Sequence, residues 1–565
     1  VRAQEARQRL ASQAFAALAL QEAAMQYASD QDTPVDRCES FVWLARAAGR
    51  AVRPDLSREA VQRARSELGA VTDAAMKARL DAQLSLAEAH LDLEGNPVAA
   101  IAAASRAALR LEAMDKQNQL VECYLVRGKA RERHGELGSA LSDYVLGLRT
   151  AEGQRARVGD LALRITFFDT VFELGRSLVR LELERGNSTR ALLFADRVRA
   201  TTMPEKPTWD VLSDADEDGS RLLRLLPPDG AVVFFSLLDE GTAVWVLRRD
   251  AIRPLWLDAT ADVVRREVRA WRDAVARRDE QRADDLTLRL FTRLVAPLRP
   301  LLDDTRTVVI VPEGILHLVS WGSLRDPTTG RRWIEEVSVG VAPSLRSLLP
   351  RKTGRGAAAH DGRATLVGDV EFDSRLFPDL PPLPATAREI EELQEIYPRA
   401  LVLRGEAATA ARVLQAAVQS DILHVAAHAI VHPTDPNGSA LVLAPEGSAA
   451  ADGRLTAERI RSCDLRNLDL VVLAACRTGD GPMSASEGPL GLARAFLAAG
   501  ARAVVVSLWD VPDEAARRWS VALHRHLKRG LPVPAAMKRV AVDCWNGPQP
   551  SMETCGAMQL VAAGP

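Results

Sequence analysis

The 565-residue sequence predicts two architectures in series: an α-helical repeat unit, then an α/β unit with a largely parallel sheet flanked by helices. Three observations lead there. Residues 1 to about 205 are dominated by Ala, Leu, Arg, Glu and Gln, with apolar residues at three- and four-residue spacing and almost no strand-like alternation. From about residue 364, short apolar runs alternate with helical stretches, as in consecutive strand–helix units. One run, Leu470-Val471-Val472-Leu473-Ala474-Ala475, ends abruptly on Cys476 and then Arg477-Thr478-Gly479. So short a run with no polar alternation suits a strand buried on both faces of a parallel sheet.

Within the helical half, three segments share a local pattern: Gly95-Asn96-Pro97-Val98-Ala99-Ala100-Ile101, Gly135-Glu136-Leu137-Gly138-Ser139-Ala140-Leu141 and Gly186-Asn187-Ser188-Thr189-Arg190-Ala191-Leu192. Each sets Gly at a turn and a small Ala five residues later. Glycine tolerates the left-handed conformation between helices, and Ala lets the next helix approach closely. From Gly95 to Gly135 to Gly186 the intervals are 40 and 51 residues. They exceed the tetratricopeptide period of about 34, so the pattern resembles tetratricopeptide-like hairpins with lengthened helices, the alternative being a non-repeating helical bundle. No catalytic constellation lies in this half, which reads as a recognition module.

The expected boundaries are a helical repeat domain at 1–205, a linker at 206–229 rich in Pro and Asp, and two α/β portions at 230–360 and 361–565. In the first portion, 231–238 and 243–247 read as strands around the turn Asp239-Glu240-Gly241. Helices are expected at 260–277 and 283–299, then a strand at 308–311. In the second, strands are expected at 365–368, 401–403, 421–428, 469–475 and 503–508, with helices at 385–396, 408–419, 488–499 and 512–528.

Composition narrows the function. A formal net charge of −2 gives no global reason for nucleic-acid binding. The six cysteines are scattered without a CxxC pair, so neither a disulfide framework nor a zinc knuckle is expected, and a reducing, cytoplasmic setting fits. Neither a membrane span nor a signal peptide is expected. A start at Val1 rather than Met is compatible with further residues upstream.

Ligands and chemistry in open α/β sheets collect beyond the carboxyl ends of strands. Cys476 sits at such an end, and His428 closes the run at 421–428 in the same way. Two parallel strands ending in His and Cys bring both over one sheet edge, where histidine can act as base for a thiol. His424 has H-x3-H spacing to His428, but it is followed by Val425 in a strand-like run, so a structural role is expected and no metal or cofactor. His317 reads as a packing residue, and Cys463, Cys544 and Cys555 receive no role.

Ile422-Leu423-His424-Val425-Ala426-Ala427-His428-Ala429 and Leu473-Ala474-Ala475-Cys476-Arg477-Thr478-Gly479 resemble the His and Cys boxes of the CHAT domain. The likeness extends over about 225–565. It takes in Pro312-Glu313-Gly314-Ile315-Leu316-His317, Leu383-Pro384-Ala385-Thr386-Ala387-Arg388-Glu389, the Gly-rich stretch 487–501, and Ser507-Leu508-Trp509-Asp510-Val511-Pro512-Asp513. CHAT proteins are related in fold to caspases, gingipains and separase and are often fused to tetratricopeptide repeats.

The resemblance implies a cysteine endopeptidase with Cys476 as nucleophile, His428 as base, and an oxyanion held by the backbone N–H groups of Cys476 and Ala429. Ala429 stands where the family usually has glycine. The resemblance further implies cleavage after a basic residue, with Trp509, Asp510 and Asp513 binding substrate. It also implies gating through the repeats by an activating protein or ribonucleoprotein, in a role of the bacterial-defence or regulated-proteolysis type. The alternative is an inactive or latent CHAT scaffold binding proteins through its repeats. The Gly-, Ser- and Asp-rich segment 477–487 is the expected place for a blocking loop.

Overall fold

The computed structural model of the protein describes residues 33–50, 53–114, 117–154, 161–199, 220, 223–224, 226–348, 363–432, 435, 437–446, 452–475, 479, 483–484, 488–489 and 491–562. Two compact units divide between Val198 and Arg199. Most of the linker expected over 206–229 lies outside the described residues.

In the first unit every described element is a helix: α1 Pro34–Arg50, α2 Pro54–Ala70, α3 Ala74–Asp92, α4 Pro97–Ala113, α5 Gln117–Arg133, α6 Leu137–Gln154, α7 Leu161–Glu184 and α8 Ser188–Arg199. The repeated turn pattern explains their joints. Gly135 and Gly186 take φ of +87° and +78°, while Gly95 is not left-handed. There Asn96 caps α4 instead, its side chain accepting from Ala99 N–H. Around Gly135 the N–H groups of Gly135 and Glu136 reach back to the Glu132 and Arg131 carbonyls, closing α5. Ala100, Ala140 and Ala191 are each fully buried, as close helix approach requires. At Gly128 the packing is tighter still, because a Cβ there would lie 2.4 Å from the ring of buried Tyr144.

The second unit is built on one 11-stranded sheet, in the order β3-β2-β1-β4-β5-β16-β15-β12-β8-β6-β7. Its strands are β1 Gly230–Leu237, β2 Thr242–Arg248, β3 Ala251–Leu257, β4 Thr307–Val311, β5 Ser338–Val341, β6 Ala364–Val370, β7 Leu401–Gly405, β8 Ile422–Ala426, β12 Leu470–Ala474, β15 Ala503–Ser507 and β16 Met558–Ala562. Between β8 and β12 come β9 His428–Ile430, β10 Ala440–Val442 and β11 Arg454–Thr456, which form a separate small sheet, and between β12 and β15 come β13 Met483–Ser484 and β14 Gly488–Pro489, which pair with each other. Pairing is parallel across β1-β4-β5-β16 and across β15-β12-β8-β6-β7; β1-β2-β3 and β15-β16 are antiparallel.

Strand β3 was not expected, since Pro254 breaks its pattern. It lies at the sheet edge, where a missing N–H costs no ladder bond. The 230–360 and 361–565 portions share this sheet through β5 and β16, in register at Val341 and Val561. Each face has its own core. Leu423, Val425, Val471, Leu473 and Val504 pack with helices Ala410–Ala417 and Leu492–Ala499. Leu366, Ile422, Val472 and Val505 pack with Ala385–Ile396, Asp513–Lys528 and Val533–Trp545.

The expected absence of disulfides is corrected at one place. Cys544 and Cys555 are joined, with Cα atoms 5.5 Å apart. The chain doubles back between the helix Val533–Trp545 and the short helix Met552–Cys555, and a separation of 11 residues carries no sequence signature.

Candidate active site

Strand β12 delivers the chain to position 476. It is buried on both faces and flanked by β8 and β15. Ala474 is in register with Ala426, so the chain leaves β12 and β8 at matching heights, two residues before Cys476 and His428 respectively. Cys476, Arg477 and Thr478 lie outside the described residues, as does most of 477–487. Ser507, at the end of β15, fastens both flanks: its Oγ–H donates to the Ala475 carbonyl at 2.9 Å, and its carbonyl accepts from Gly479 N–H at 2.9 Å. Gly479 is required there, because a Cβ would lie 2.9 Å from Val506 Cγ2 and 3.1 Å from the Ser507 carbonyl oxygen.

The expected strand 421–428 is interrupted. β8 ends at Ala426 and His428 begins β9, whose partner is β10, with His428 opposite Val442. The chain thus changes sheets at Ala427, lifting His428 away from the main sheet. Uniform apolarity across 422–427 conceals that change. Ala429 lies opposite Leu441 and has no positive φ, so the left-handed conformation that would favour glycine is not adopted.

His428 is buried. Its ring lies edge-on to Phe372, with centroids 5.4 Å apart, and its Nε2 lies 2.7 Å from the Pro381 carbonyl oxygen. A carbonyl only accepts, so Nε2 carries the proton and Nδ1 of the neutral ring is left with a lone pair. Pro381 was not singled out from sequence, and a backbone acceptor leaves no side-chain signature.

The three residues expected to bind substrate have distinct surroundings. Asp510 is exposed. Asp513 begins the helix Asp513–Lys528, and its Oδ2 accepts from Ala385 N–H at 2.7 Å, capping the neighbouring helix Ala385–Ile396. Burial leaves the Asp513 carboxyl above its ordinary range, outweighing the backbone bond from Ala385 N–H and the nearby His428, which act the other way. The Trp509 indole is buried, its N–H donating to the Glu553 carbonyl at 3.0 Å and its ring edge-on to Trp271. Asp513 and Trp509 thus each make internal contacts, and Asp510 is exposed.

His317 is buried in the turn Gly314–Leu318. Burial pushes its pKa well below the ordinary histidine value, helped by Arg494 and Arg199. The neighbouring Glu313 accepts from Arg199 Nη2 at 2.6 Å and from Ser236 Oγ at 3.1 Å, while Gly314 takes φ of +51°. Among the described residues, no group of three or more His, Cys, Asp or Glu is placed to hold a metal. No helix among them is long and apolar enough to cross a membrane.

Residues 285–557 match the family model of the CHAT domain. Tetratricopeptide repeat protein 28 of Mus musculus is 29% identical over 273 residues, covering 41% of this chain and 11% of the relative. The Homo sapiens protein of the same name is 28% identical over 273 residues with the same coverage. The chain thus matches only a small part of these curated relatives. Two crystal structures of the Saccharomyces cerevisiae separase–securin complex align at 10% identity with TM-scores of 0.48 and 0.45, each over 96% of this chain and 48% of theirs. The chain carries a CHAT domain over residues 285–557, with helical repeats ahead of it.

Proposed function

We propose that the C-terminal unit is a cysteine endopeptidase in which Cys476 is the nucleophile and His428 the general base. The observation that carries this reading is the 2.7 Å bond from His428 Nε2 to the Pro381 carbonyl. It commits one ring nitrogen as a donor and leaves Nδ1 to take the thiol proton. The equal heights at which β8 and β12 release their chains support the pairing with Cys476. The thiolate attacks the scissile carbonyl carbon, and His428 returns the proton to the leaving amine. Water then cleaves the acyl-enzyme. Backbone N–H groups of Cys476 and Ala429 hold the oxyanion. Asp510, exposed at the end of β15, receives a basic side chain before the cut. The helical repeats recruit the protein substrate.

Alkylation with iodoacetamide tests this reading. Cys476 is expected to react faster than an ordinary exposed cysteine, and His428→Ala is expected to slow it. Peptides with Arg before the cut are expected to be cleaved by the wild type and not by Cys476→Ala. If Cys476 reacts at an ordinary rate and Cys476→Ala removes no cleavage in a lysate, the domain is a scaffold.

A further inference from the structure

The small sheet that carries His428 has an open edge. Its order is β11-β10-β9, so among the described residues β9 is paired on one side only. The bonds across β10 fix which groups face that edge. Leu443 N–H donates to the Gly453 carbonyl, and Ala457 N–H to the Ser439 carbonyl. In an antiparallel ladder these bonds make Val442↔Arg454 and Ala440↔Thr456 the non-hydrogen-bonded pairs, so Leu441 turns both main-chain groups to β11. Ala440 and Val442 therefore turn theirs to β9, toward Ile430 and His428. Ala429, between those two, turns its N–H and C=O outward. His432 N–H still turns inward, donating to Ser439 Oγ at 3.1 Å, so the groups of Val431 also face outward.

None of these four outward groups has a hydrogen-bond partner among the described residues. Ala429, Ile430 and Val431 are half-buried rather than closed over. Side chains alternate along the strand: Ala429 packs against the core of the main sheet, and Ile430 shares the other face with His428. An edge strand that begins at the candidate base and continues with unpaired main-chain groups is a template for one more extended chain.

We propose that the substrate segment just after the cut adds to β9 as a parallel strand, with an apolar second residue beside Ile430. This rests on the peptidase reading, in which Ala429 N–H holds the oxygen of the residue before the cut and His428 protonates the amine of the residue after it. In a parallel ladder a residue donates to the carbonyl one place before its opposite number and accepts from the N–H one place after. With its N–H on the oxygen before the cut, Ala429 stands opposite the first residue after the cut. Ala429 C=O then accepts the N–H of the second residue, and Val431 N–H donates to the carbonyl of that same residue. The oxyanion bond is thus the first rung of a ladder that grips the leaving half. β15 and β8 flank β12 on opposite sides, so Asp510 beyond β15 draws the residues before the cut away from β9.

Fluorescence anisotropy with the full-length Cys476→Ala variant tests this without turnover. The probe is labelled Ala-Ala-Arg-Ala-Leu-Ala-Ala, with the cut after Arg. N-methylation of Leu removes the N–H offered to Ala429 and should weaken binding about five- to tenfold. N-methylation of the next Ala, at an N–H facing away from β9, should change it less than about twofold. Val431→Pro, which removes an outward donor from an edge position, should weaken the unmodified probe by about the same factor as the first methyl group. No loss at Leu, equal loss at both positions, or no binding at millimolar probe overturns strand addition. In wild-type protein the same ranking is expected in kcat/KM. If binding ranks as expected but Cys476 is inert to alkylation, only the peptidase reading fails. If Cys476 is reactive and cleavage is indifferent to methylation at Leu, only strand addition fails.

Discussion

Lowering the pH from 7.5 to 5.5 should destabilise the C-terminal unit through two histidines that the fold keeps neutral. His317 and His524 are both buried, and burial is the leading cause holding each well below the ordinary value of 6.5. The unfolded chain binds protons at these positions near pH 6.5 while the folded chain does not. Their contribution is therefore fully present above pH 6.5 and is lost as the pH falls below it. Across this interval each unfolded histidine takes up most of one proton, a loss on the order of 1 kcal/mol per group and roughly 2–3 kcal/mol for the pair.

His526, lowered mainly by partial burial, acts in the same direction. Denaturant unfolding followed by tryptophan fluorescence reads the change, since every tryptophan except Trp43 lies beyond Val198. His317→Gln and His524→Gln should each remove about half of the pH dependence, whatever they do to absolute stability. Equal stability at pH 7.5 and 5.5, or a double variant that retains the full slope, would refute the reasoning.

Other perturbations have equally specific outcomes. Gly128→Ala gains up to about 1 kcal/mol of helix propensity but drives a methyl into the Tyr144 ring. With overpacking at about 1–3 kcal/mol, net destabilisation is expected in a thermal melt followed by circular dichroism. Glu313→Ala leaves the buried Arg199 without its carboxylate and should cost about 3–5 kcal/mol by chemical denaturation. Glu313→Gln, which keeps an acceptor, should cost less. Joint replacement of Cys544 and Cys555 by Ala should cost about 3 kcal/mol relative to the wild type under oxidising conditions, a difference that should largely vanish when reductant is present.

What could be read from the sequence follows from the reach of the forces involved. Helix Ala385–Ile396 and strands β12 and β15 lie within a residue of their expected bounds, because a continuous apolar run or a regular 3.6-residue stripe is a local signal. The break at Ala427 has no such signal, since Ala426, Ala427 and Ala429 suit either side of it. Strand β5, Ser338–Val341, is too short to stand out and is defined by its neighbours β4 and β16.

At the site, the residue types were legible at His428 and the strands leading to both candidate residues. The Pro381 acceptor and the Ser507 clamp were not, because each depends on main-chain atoms brought together from distant segments. Asp513 shows the converse. Its place in the CHAT-like segment 507–513 suggested a substrate ligand, and nothing local showed that the tertiary fold also gives it a helix to cap, 128 residues away in sequence.

The place of β16 bears on how the chain is made. Translated last among the sheet's described strands, it is inserted near the middle, between β5 and β15. Until residues 558–562 leave the ribosome, a nascent chain holds two half-sheets, each presenting an unpaired strand edge. Such edges recruit other chains. Shielding by a chaperone during synthesis, and intolerance of trimming within the last strand, follow from that order of assembly.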